Sequence, residues 1–259
     1  TMVYLMVEQQ FAKYPWCQRT IRGIFEEVRK RRIHVQEVSE LPGGAEERPC
    51  VLLVGASEEW INQTAREAGS LGLHPVVLSN RETNSSGLSV SSVKMDIHSS
   101  MELAVDYLRT LGRERLALFG VNPSASSDLW RARRFGELTG REGDVFFLGA
   151  SVAEIFDRFY EKIHCYDGVI CASDYAAVSL VGRLREKNYA IPEKLYVVGY
   201  GDMFLSRLYR PSITSISDDY ESFGKAALAI CAMMEKNDAF SVVSVKLKSR
   251  LHIRETTES

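Results

Sequence analysis

Runs of apolar residues alternate with segments of helical periodicity along most of the chain, and no other feature restricts its fold so strongly. The apolar runs are typical of strands and lie at 3–7, 35–38, 51–54, 75–78, 93–95, 116–119, 145–148, 168–171, 195–198 and 214–216. Helices fit between them, near 17–31, 58–69, 99–111, 127–138, 152–163, 174–187 and 219–235. Strands that are apolar throughout and separated by amphipathic helices indicate parallel sheets covered on both faces. The pattern therefore predicts an α/β fold, and this many strands fit two sheets better than one.

The C-terminal segment breaks this alternation. Residues 241–257, SVVSVKLKSRLHIRETT, alternate between apolar and polar side chains without an intervening helix. A period of two residues is typical of strands with one exposed face. We expect exposed or edge strands here.

The charge of the chain argues against a protein that binds nucleic acid by itself, and its size allows a large core. Its 259 residues are 45% hydrophobic, which is enough for two lobes or one large domain. The formal net charge is −2, with 32 basic and 34 acidic residues, so the chain lacks the basic surface of a protein that binds nucleic acid by itself. The basic run at 29–32 falls in the last turn of a predicted helix, where cations favour the helix dipole. We interpret it as a solvated helix end.

Cysteine usage and the first residues favour a cytoplasmic protein. The five cysteines are scattered and form no CxxC pair, which argues against a disulfide scaffold or zinc site and suggests a reducing compartment. Residues 1–10, TMVYLMVEQQ, lack the basic region, apolar run and cleavage pattern of a signal peptide. No window approaches the ~18 apolar residues of a membrane span. We therefore expect no membrane partner.

Motifs of the common enzyme classes are missing from the sequence. There is no GxxxxGK followed by Ser or Thr, no GxSxG nucleophile elbow and no HExxH zinc motif. GYGD at 199–202 follows a predicted strand but lacks the third glycine of a dinucleotide site. The five histidines are dispersed. We therefore expect no catalysis, no metal site and no cofactor.

Polar and aromatic residues follow several of the predicted strands directly. In open parallel sheets, ligands bind outside the carboxyl ends of the strands, where helix N-termini present free N–H groups. Aromatic faces together with Arg and Asp suit sugars and similar hydroxylated ligands. The candidate residues for such a site are Tyr14, Trp16, Ser57, Trp60, Trp130, Arg131, Ser173, Asp174, Tyr200, Asp202 and Asp218.

Alternatives remain open for these candidates. Any one of the aromatic rings can be core or rim packing instead. Asp174 can be the plain N-cap of the helix that follows it, and Arg131 can belong to a surface salt bridge within RARR at 131–134.

Several motifs spread over nearly the whole chain point to a family. They are YPWCQRTIRGIFEEV at 14–28, HPVVLSNR at 74–81, the Ser173–Asp174 pair, Ile191–Pro192–Glu193, VVGY at 197–200, PSITSI at 211–216, Gly224 and RETTES at 254–259. Each motif is weak alone, but together they are specific. The chain resembles the effector-binding core of the lactose and galactose repressor (LacI/GalR) family.

The resemblance implies a type I periplasmic-binding-protein fold, with two Rossmann-like lobes and a small effector in the cleft between them. By analogy the chain crosses between lobes near 120–122, 215–218 and 239–242. The expected lobes are 1–120 plus 217–240 and 121–216 plus 241–259. The helix-turn-helix that reads DNA in this family precedes the core and is not among these residues.

The resemblance also implies roles for individual residues. Arg131 stands where the family has an arginine that clamps the effector. Ser173 and Asp174 match the family's polar pair after the strand, and Trp16 matches the aromatic residue after its opening proline.

Two positions depart from the family pattern. Arg134 stands where glycine is usual. Gly201 follows Tyr200 where the family places its ligand-binding acid. Asp202 can substitute from one residue further on, but a changed class of ligand explains the departure equally well.

Together these inferences favour the effector-sensing and dimerisation core of a bacterial LacI-type transcriptional regulator. A small hydroxylated effector, such as a sugar or sugar derivative, would control the binding of a homodimer to operator DNA through the missing helix-turn-helix. The alternative is a substrate-binding protein of a sugar ABC transporter with the same fold. The identity of the effector and the choice between repression and activation are not readable from the sequence.

Overall fold

A computed structural model describes residues 2–31, 33–43, 48–80, 88, 90–149, 151–236 and 241–258. The strands are β1 (Met2–Val7), β2 (His34–Glu37), β3 (Cys50–Val54), β4 (His74–Ser79), β5 (Ser91–Met95), β6 (Leu116–Val121), β7 (Val145–Phe147), β8 (Gly168–Cys171), β9 (Tyr196–Tyr200), β10 (Thr214–Ser217), β11 (Ser244–Leu247) and β12 (Arg250–His252). The α-helices are α1 (Pro15–Arg31), α2 (Glu58–Ser70), α3 (Ile97–Thr110), α4 (Ser126–Thr139), α5 (Val152–Glu161), α6 (Asp174–Glu186), α7 (Phe204–Leu208) and α8 (Glu221–Lys236).

The chain divides into two compact units. The first unit contains Thr1–Asp96 and Asp219–Leu247, and the second contains Ile97–Asp218 and Lys248–Ser259. Each unit has its own sheet and its own core, so the predicted two-sheet α/β fold is confirmed.

The first unit is built on a sheet of order β11-β5-β4-β3-β1-β2, and every pairing in it is parallel. All five residues of β3 are buried because it lies in the middle of the sheet with layers on both faces. Val51 and Leu53 of β3 pack against Ile61 and Ala65 of α2. This contact places the start of α2 beside the carboxyl ends of β1 and β3.

The second unit has the order β12-β10-β9-β8-β6-β7, parallel except for the β10–β12 pair. One apolar cluster joins α5 and α6 to one face, where Phe159 meets the rings of Phe119 and Phe146 edge-on. Another cluster covers the other face with α3 and α4. The carboxyl ends of the parallel strands β6, β9 and β10 therefore lie at the same end of the sheet.

The first boundary between the units falls after Asp96, which corrects the boundary at residue 120 expected from the sequence. β6 pairs in parallel with β8 and therefore belongs to the second sheet. Leu108 of α3 packs against Leu116 and Ile170 of that sheet. The segment 97–120 was expected in the first lobe by analogy with the family, and apolar periodicity does not reveal which sheet a strand joins.

The other boundaries fall after Asp218 and after Leu247. The first of these is adjacent to the crossing expected near 215–218. The last comes later than the crossing expected at 239–242, because β11 pairs with β5 in the first sheet. Residues 239 and 240 lie outside the described part of the chain.

The alternating C-terminal segment forms two edge strands, as predicted. β11 is at one edge of the first sheet, and β12 is at one edge of the second. The short helix α7 was not predicted, because a single turn has too few residues to show helical periodicity. Within the described ranges, no helix is both long and apolar enough to cross a membrane.

Candidate functional site

Glu8 organises the end of the first sheet. It follows β1 directly, and because Val7 and Val54 are in register, Glu8 lies beside the loop that follows β3. Its buried carboxylate accepts hydrogen bonds from the backbone N–H groups of Ala56 at 2.9 Å and Ser57 at 3.0 Å. The Ser57 hydroxyl and the Gln10 amide also donate to it. Burial alone would raise the pKa of Glu8, but these hydrogen bonds hold it below its usual value, so Glu8 is a carboxylate at neutral pH.

A pocket of about 570 Å³ opens next to this carboxylate. Its walls come from the ends of β1 and β2 and from the start of α2. The lining residues are Met6, Val7, Glu8, Gln9, Gln10, Val38, Ser39, Ser57, Glu59, Trp60 and Gln63. Hydroxyl, amide and carboxylate groups therefore share one concave surface with an indole ring.

Gly55 allows two of these groups to approach each other closely. A Cβ atom at this position would lie 2.6 Å from the Trp60 ring and 2.7 Å from Oε2 of Glu8. Both distances are shorter than any normal van der Waals contact. Because Gly55 has no side chain, both the Trp60 ring and the Glu8 carboxylate can contact the backbone at this position.

The other aromatic candidates of the first unit are not among the residues that line this pocket. Trp16 is buried, and its ring lies 6.2 Å from the rings of Phe11 and of Tyr220. Tyr14 is half exposed and contacts Phe11, with ring centres 5.4 Å apart. Trp16 therefore packs in the core, which is one of the two roles that the sequence allowed for this ring.

In the second unit, Arg131, Tyr200 and Asp218 form one cluster. Arg131 lies on α4, Tyr200 is the last residue of β9, and Asp218 follows β10 directly. The guanidinium carbon of Arg131 is 3.7 Å from the centre of the Tyr200 ring. The Tyr200 hydroxyl donates to Asp218, with both oxygen distances 2.9 Å. Ser249 donates a further hydrogen bond to Asp218 at 2.8 Å.

The charges in this cluster stabilise one another. Asp128, one helical turn before Arg131, binds its guanidinium at 2.8 Å. Burial opposes the charge on Arg131, but Tyr200, Asp128 and Asp218 outweigh it and raise the pKa of Arg131. Burial raises the pKa of Tyr200 to about 12, so its phenol stays protonated as a hydrogen-bond donor. Arg131 is thus a fixed cation with a carboxylate partner.

Trp130 presents an accessible ring next to this cluster in sequence. It is 43% exposed, and its ring meets His98 edge-on with centres 5.0 Å apart. Arg133 lies over the same ring at 5.7 Å. These contacts leave part of the indole open to a ligand.

The interpretation of Asp174 as the plain N-cap of its helix is wrong, because the preceding residue, Ser173, is the cap. Ser173 is the N-cap of α6, because its side chain accepts the N–H of Ala176 at 3.1 Å. Asp174 is completely buried, and it accepts hydrogen bonds from the Met203 N–H and the Ser215 hydroxyl, both at 2.7 Å. The carboxylate of Asp174 is therefore occupied within the unit, joining the loop after β9 to β10. Burial raises its pKa in spite of these bonds.

Asp202 is likewise occupied by partners inside the second unit. It pairs with Arg254 and, at 2.6 Å, with Arg207, and His252 lies 3.7 Å away. Gly201 precedes it with φ +120°, a conformation that favours glycine. Burial opposes ionisation, but the two arginines hold the pKa of Asp202 below its usual value.

Sequence reasoning missed Glu8, Gln10, Asp128 and Ser249. Glu8 follows a strand directly, and Asp128 precedes Arg131 by three residues on one helix, so both could have been found from spacing. Ser249 shows no such signal, because it lies in the alternating C-terminal segment. Among the described residues, no group of three or more His, Cys, Asp or Glu side chains is arranged to hold a metal ion.

Comparison with known proteins places the chain in a family. A model of the periplasmic binding protein-like domain matches residues 105–257, more than half of the chain. The HTH-type transcriptional regulator RegA of Clostridium saccharobutylicum is 29% identical over 119 residues, which span 46% of this chain and 32% of RegA. The chain thus spans about a third of the length of that relative.

Solved structures show the same fold over nearly the entire chain. The complex of the transcriptional regulator CelR with cellobiose has a TM-score of 0.65 at 20% identity, covering 98% of this chain and 84% of that one. A LacI family regulator from Enterococcus faecalis V583 with bound ribose has a TM-score of 0.63 at 20% identity, covering 99% of this chain and 98% of that one. The chain therefore belongs to the periplasmic binding protein-like domain family, and it is similar to the effector-binding core of LacI-type transcriptional regulators.

Proposed function

We propose that this protein senses a small hydroxylated effector, a sugar or sugar derivative, and so controls a bacterial LacI-type regulator. In this proposal it performs no catalysis, and it acts as a homodimer on operator DNA in the cytoplasm. Effector binding shifts the population toward the conformation that binds the effector better. The sugar complexes of two proteins of the same fold support the ligand class.

The pocket of the first unit is the observation that carries this proposal. Sugars offer apolar C–H faces and a rim of hydroxyl groups. Trp60 supplies a ring for such a face, and Glu8, Gln10 and Ser57 supply acceptors and donors already fixed by one another. A volume of about 570 Å³ suits a small organic ligand.

The cluster of the second unit offers the same chemistry. Arg131 and Asp218 are held in place by Tyr200, and the half-exposed Trp130 adds an aromatic face. Groups fixed in this way lose little conformational entropy when a ligand binds. Arg131 therefore remains a candidate for effector contact, as the family resemblance implies.

An exposed apolar patch on the second unit supports the homodimer. Phe204 and Leu208 of α7 are 71% and 60% exposed, and Tyr175 at the start of α6 is 62% exposed. The hydrogen bond from Met203 to Asp174 brings the starts of these helices together. Large aromatic and aliphatic side chains exposed side by side are typical of an interface. A second copy of this chain is the partner that symmetric operator half-sites require.

A thermal-shift screen of sugars, polyols and nucleosides tests the effector proposal. A ligand present at 100 times its Kd adds ~2.7 kcal/mol of stability, which is easily detected. Stabilisation by at least one hydroxylated compound is the expected result. If no such compound stabilises the protein, it does not sense this class of ligand. Sedimentation of the wild type and of the Phe204→Glu/Leu208→Glu variant tests the dimer, and only the variant should sediment as a monomer.

A further inference from the structure

The effector pocket of the first unit carries negative charge and no positive charge among the residues that line it. Glu8 and Glu59 are its charged lining residues, and neither Lys nor Arg is among them. Glu8 is fixed as a carboxylate by four hydrogen bonds. An anionic ligand in this pocket would meet two carboxylates without a compensating cation.

In the second unit, the cation of the Arg131 cluster is itself balanced by carboxylates. Arg131 is already paired with Asp128 at 2.8 Å, and Asp218 adds a second carboxylate to its surroundings. A phosphate that approached Arg131 would have to displace one carboxylate and stay close to another. Sites that bind phosphate present instead a guanidinium, an ammonium or free N–H groups with unmatched positive charge.

The Ser57 and Ala56 N–H groups at the start of α2 are also unavailable to an anion. A helix N-terminus can bind a phosphate when its N–H groups are free. Here both N–H groups donate to Oε2 of Glu8. The carboxylate therefore occupies the place that an anionic ligand would need.

From these contacts we infer that the effector has no phosphate or carboxylate group, and that this pocket accepts uncharged and amine-bearing hydroxylated compounds while excluding their anionic derivatives. This inference rests on the proposed function, since it describes the ligand of the same pocket. This chain has Gly201 where the family places an acid. The missing acid does not make the second-unit cluster cationic, because Asp128 and Asp218 remain beside Arg131.

The test uses sets of probes, and the members of each set share one sugar and differ in a single neutral, amine, phosphate or carboxylate substituent. Glucose, glucosamine, glucose 6-phosphate and glucuronic acid form one set, and ribose and ribose 5-phosphate form another. Calorimetry with the wild type should show that the neutral or amine-bearing member of a set binds at least about tenfold more tightly than its anionic members. Equal or tighter binding of a phosphate or carboxylate would overturn the inference while leaving the proposed function intact.

Two charge-reversal variants locate the origin of the selectivity. Glu59 is exposed on α2 and lines the pocket, whereas Glu67 is exposed on the same helix and does not. Glu59→Lys should narrow the preference for the neutral probe by about threefold or more, and Glu67→Lys should leave it unchanged. An unchanged preference in Glu59→Lys would contradict the inference. If no probe of either set binds the wild type, the proposed ligand class fails, and this inference fails with it.

Discussion

The guanidinium carbon of Arg131 lies 3.7 Å from the centre of the Tyr200 ring, and the hydroxyl of the same tyrosine donates to Asp218. One side chain thus holds the cation with its ring face and the anion with its hydroxyl. Cation–π contacts stabilise a desolvated guanidinium by about 2 kcal/mol. The end of β9 thereby fixes two charged groups from different elements in one arrangement.

Replacing Tyr200 with phenylalanine separates these two functions. Tyr200→Phe keeps the ring under Arg131 but removes the hydrogen bond to Asp218. We expect a loss of about 1.5–3 kcal/mol in the free energy of unfolding, because the lost bond ends on a charged group, and weaker effector binding. Tyr166→Phe is the control, because Tyr166 donates to Asp144 at 2.7 Å in the same unit and is no candidate ligand contact. It should lose stability but bind normally. Equal affinity of both variants in calorimetry would remove Asp218 from the site.

The ion pairs of Asp202 predict a dependence of stability on pH. Its folded-state pKa is lowered, so its contribution to stability is present above the unfolded pKa of about 3.9 and is lost as the pH falls through the folded value. Asp202→Asn should cost about 3 kcal/mol at pH 7, and the difference from wild type should shrink below pH 4. Arg207→Ala should cost less than about 1 kcal/mol, because that side chain is 56% exposed. Urea unfolding from pH 3 to 7 checks this, and a pH-independent difference would contradict it.

The buried carboxylate of Asp174 predicts the opposite pH trend. Its pKa is raised, so its contribution to stability is fully present below the unfolded pKa and is lost as the pH rises through the folded value. The stability of the wild type relative to Asp174→Asn should therefore fall as the pH rises above the unfolded pKa of about 3.9, in measurements from pH 4 to pH 7. Unfolding of both proteins across this range measures the difference, and a rise with pH would show that Asp174 is stabilised as an anion.

Ser173 caps α6, so we expect its replacement to lower the stability of the protein without changing its affinity for the effector. Ser173→Ala should cost about 1 kcal/mol of stability. Ser151→Ala is the matched control, because Ser151 caps α5 in the same way through the N–H of Glu154. Both variants should lose similar stability and retain effector affinity. A selective loss of affinity in Ser173→Ala would place its hydroxyl in contact with the ligand.

We expect an added methyl group to have opposite effects on stability at two glycines, Gly224 and Gly69. α1 and α8 approach so closely that a Cβ atom at Gly224 would overlap the backbone of Gly23 and Ile24. Gly224→Ala should therefore cost about 2–3 kcal/mol. Nothing lies within 4 Å of a Cβ atom at Gly69 in α2, so Gly69→Ala should gain up to about 1 kcal/mol. Thermal unfolding of both variants distinguishes these outcomes, and a neutral Gly224→Ala would contradict the close helix contact.

The sequence predicted the two sheets, whereas the partners of the candidate site residues could not be read from it. Apolar runs such as 51–54 identify strands because burial on both faces excludes polar residues. Spacing alone could not show that β6 pairs with β8, because strand order depends on contacts between distant segments. The residue type of Asp174 and Asp202 suggested a ligand, but whether a carboxylate is free or bound depends on partners such as Ser215 and Arg254, which lie far along the chain.

Calorimetric titration of the pocket in the first unit tests the central claim most directly. The best neutral hydroxylated compound from the screen is titrated into the wild type, Trp60→Phe and Trp60→Ala. We predict saturable binding to the wild type, a small loss of affinity in Trp60→Phe and a loss of at least about tenfold in Trp60→Ala, because the ring that packs on the ligand is gone. Affinity that is equal in the wild type and in a folded Trp60→Ala variant would contradict the assignment of this pocket as the effector site.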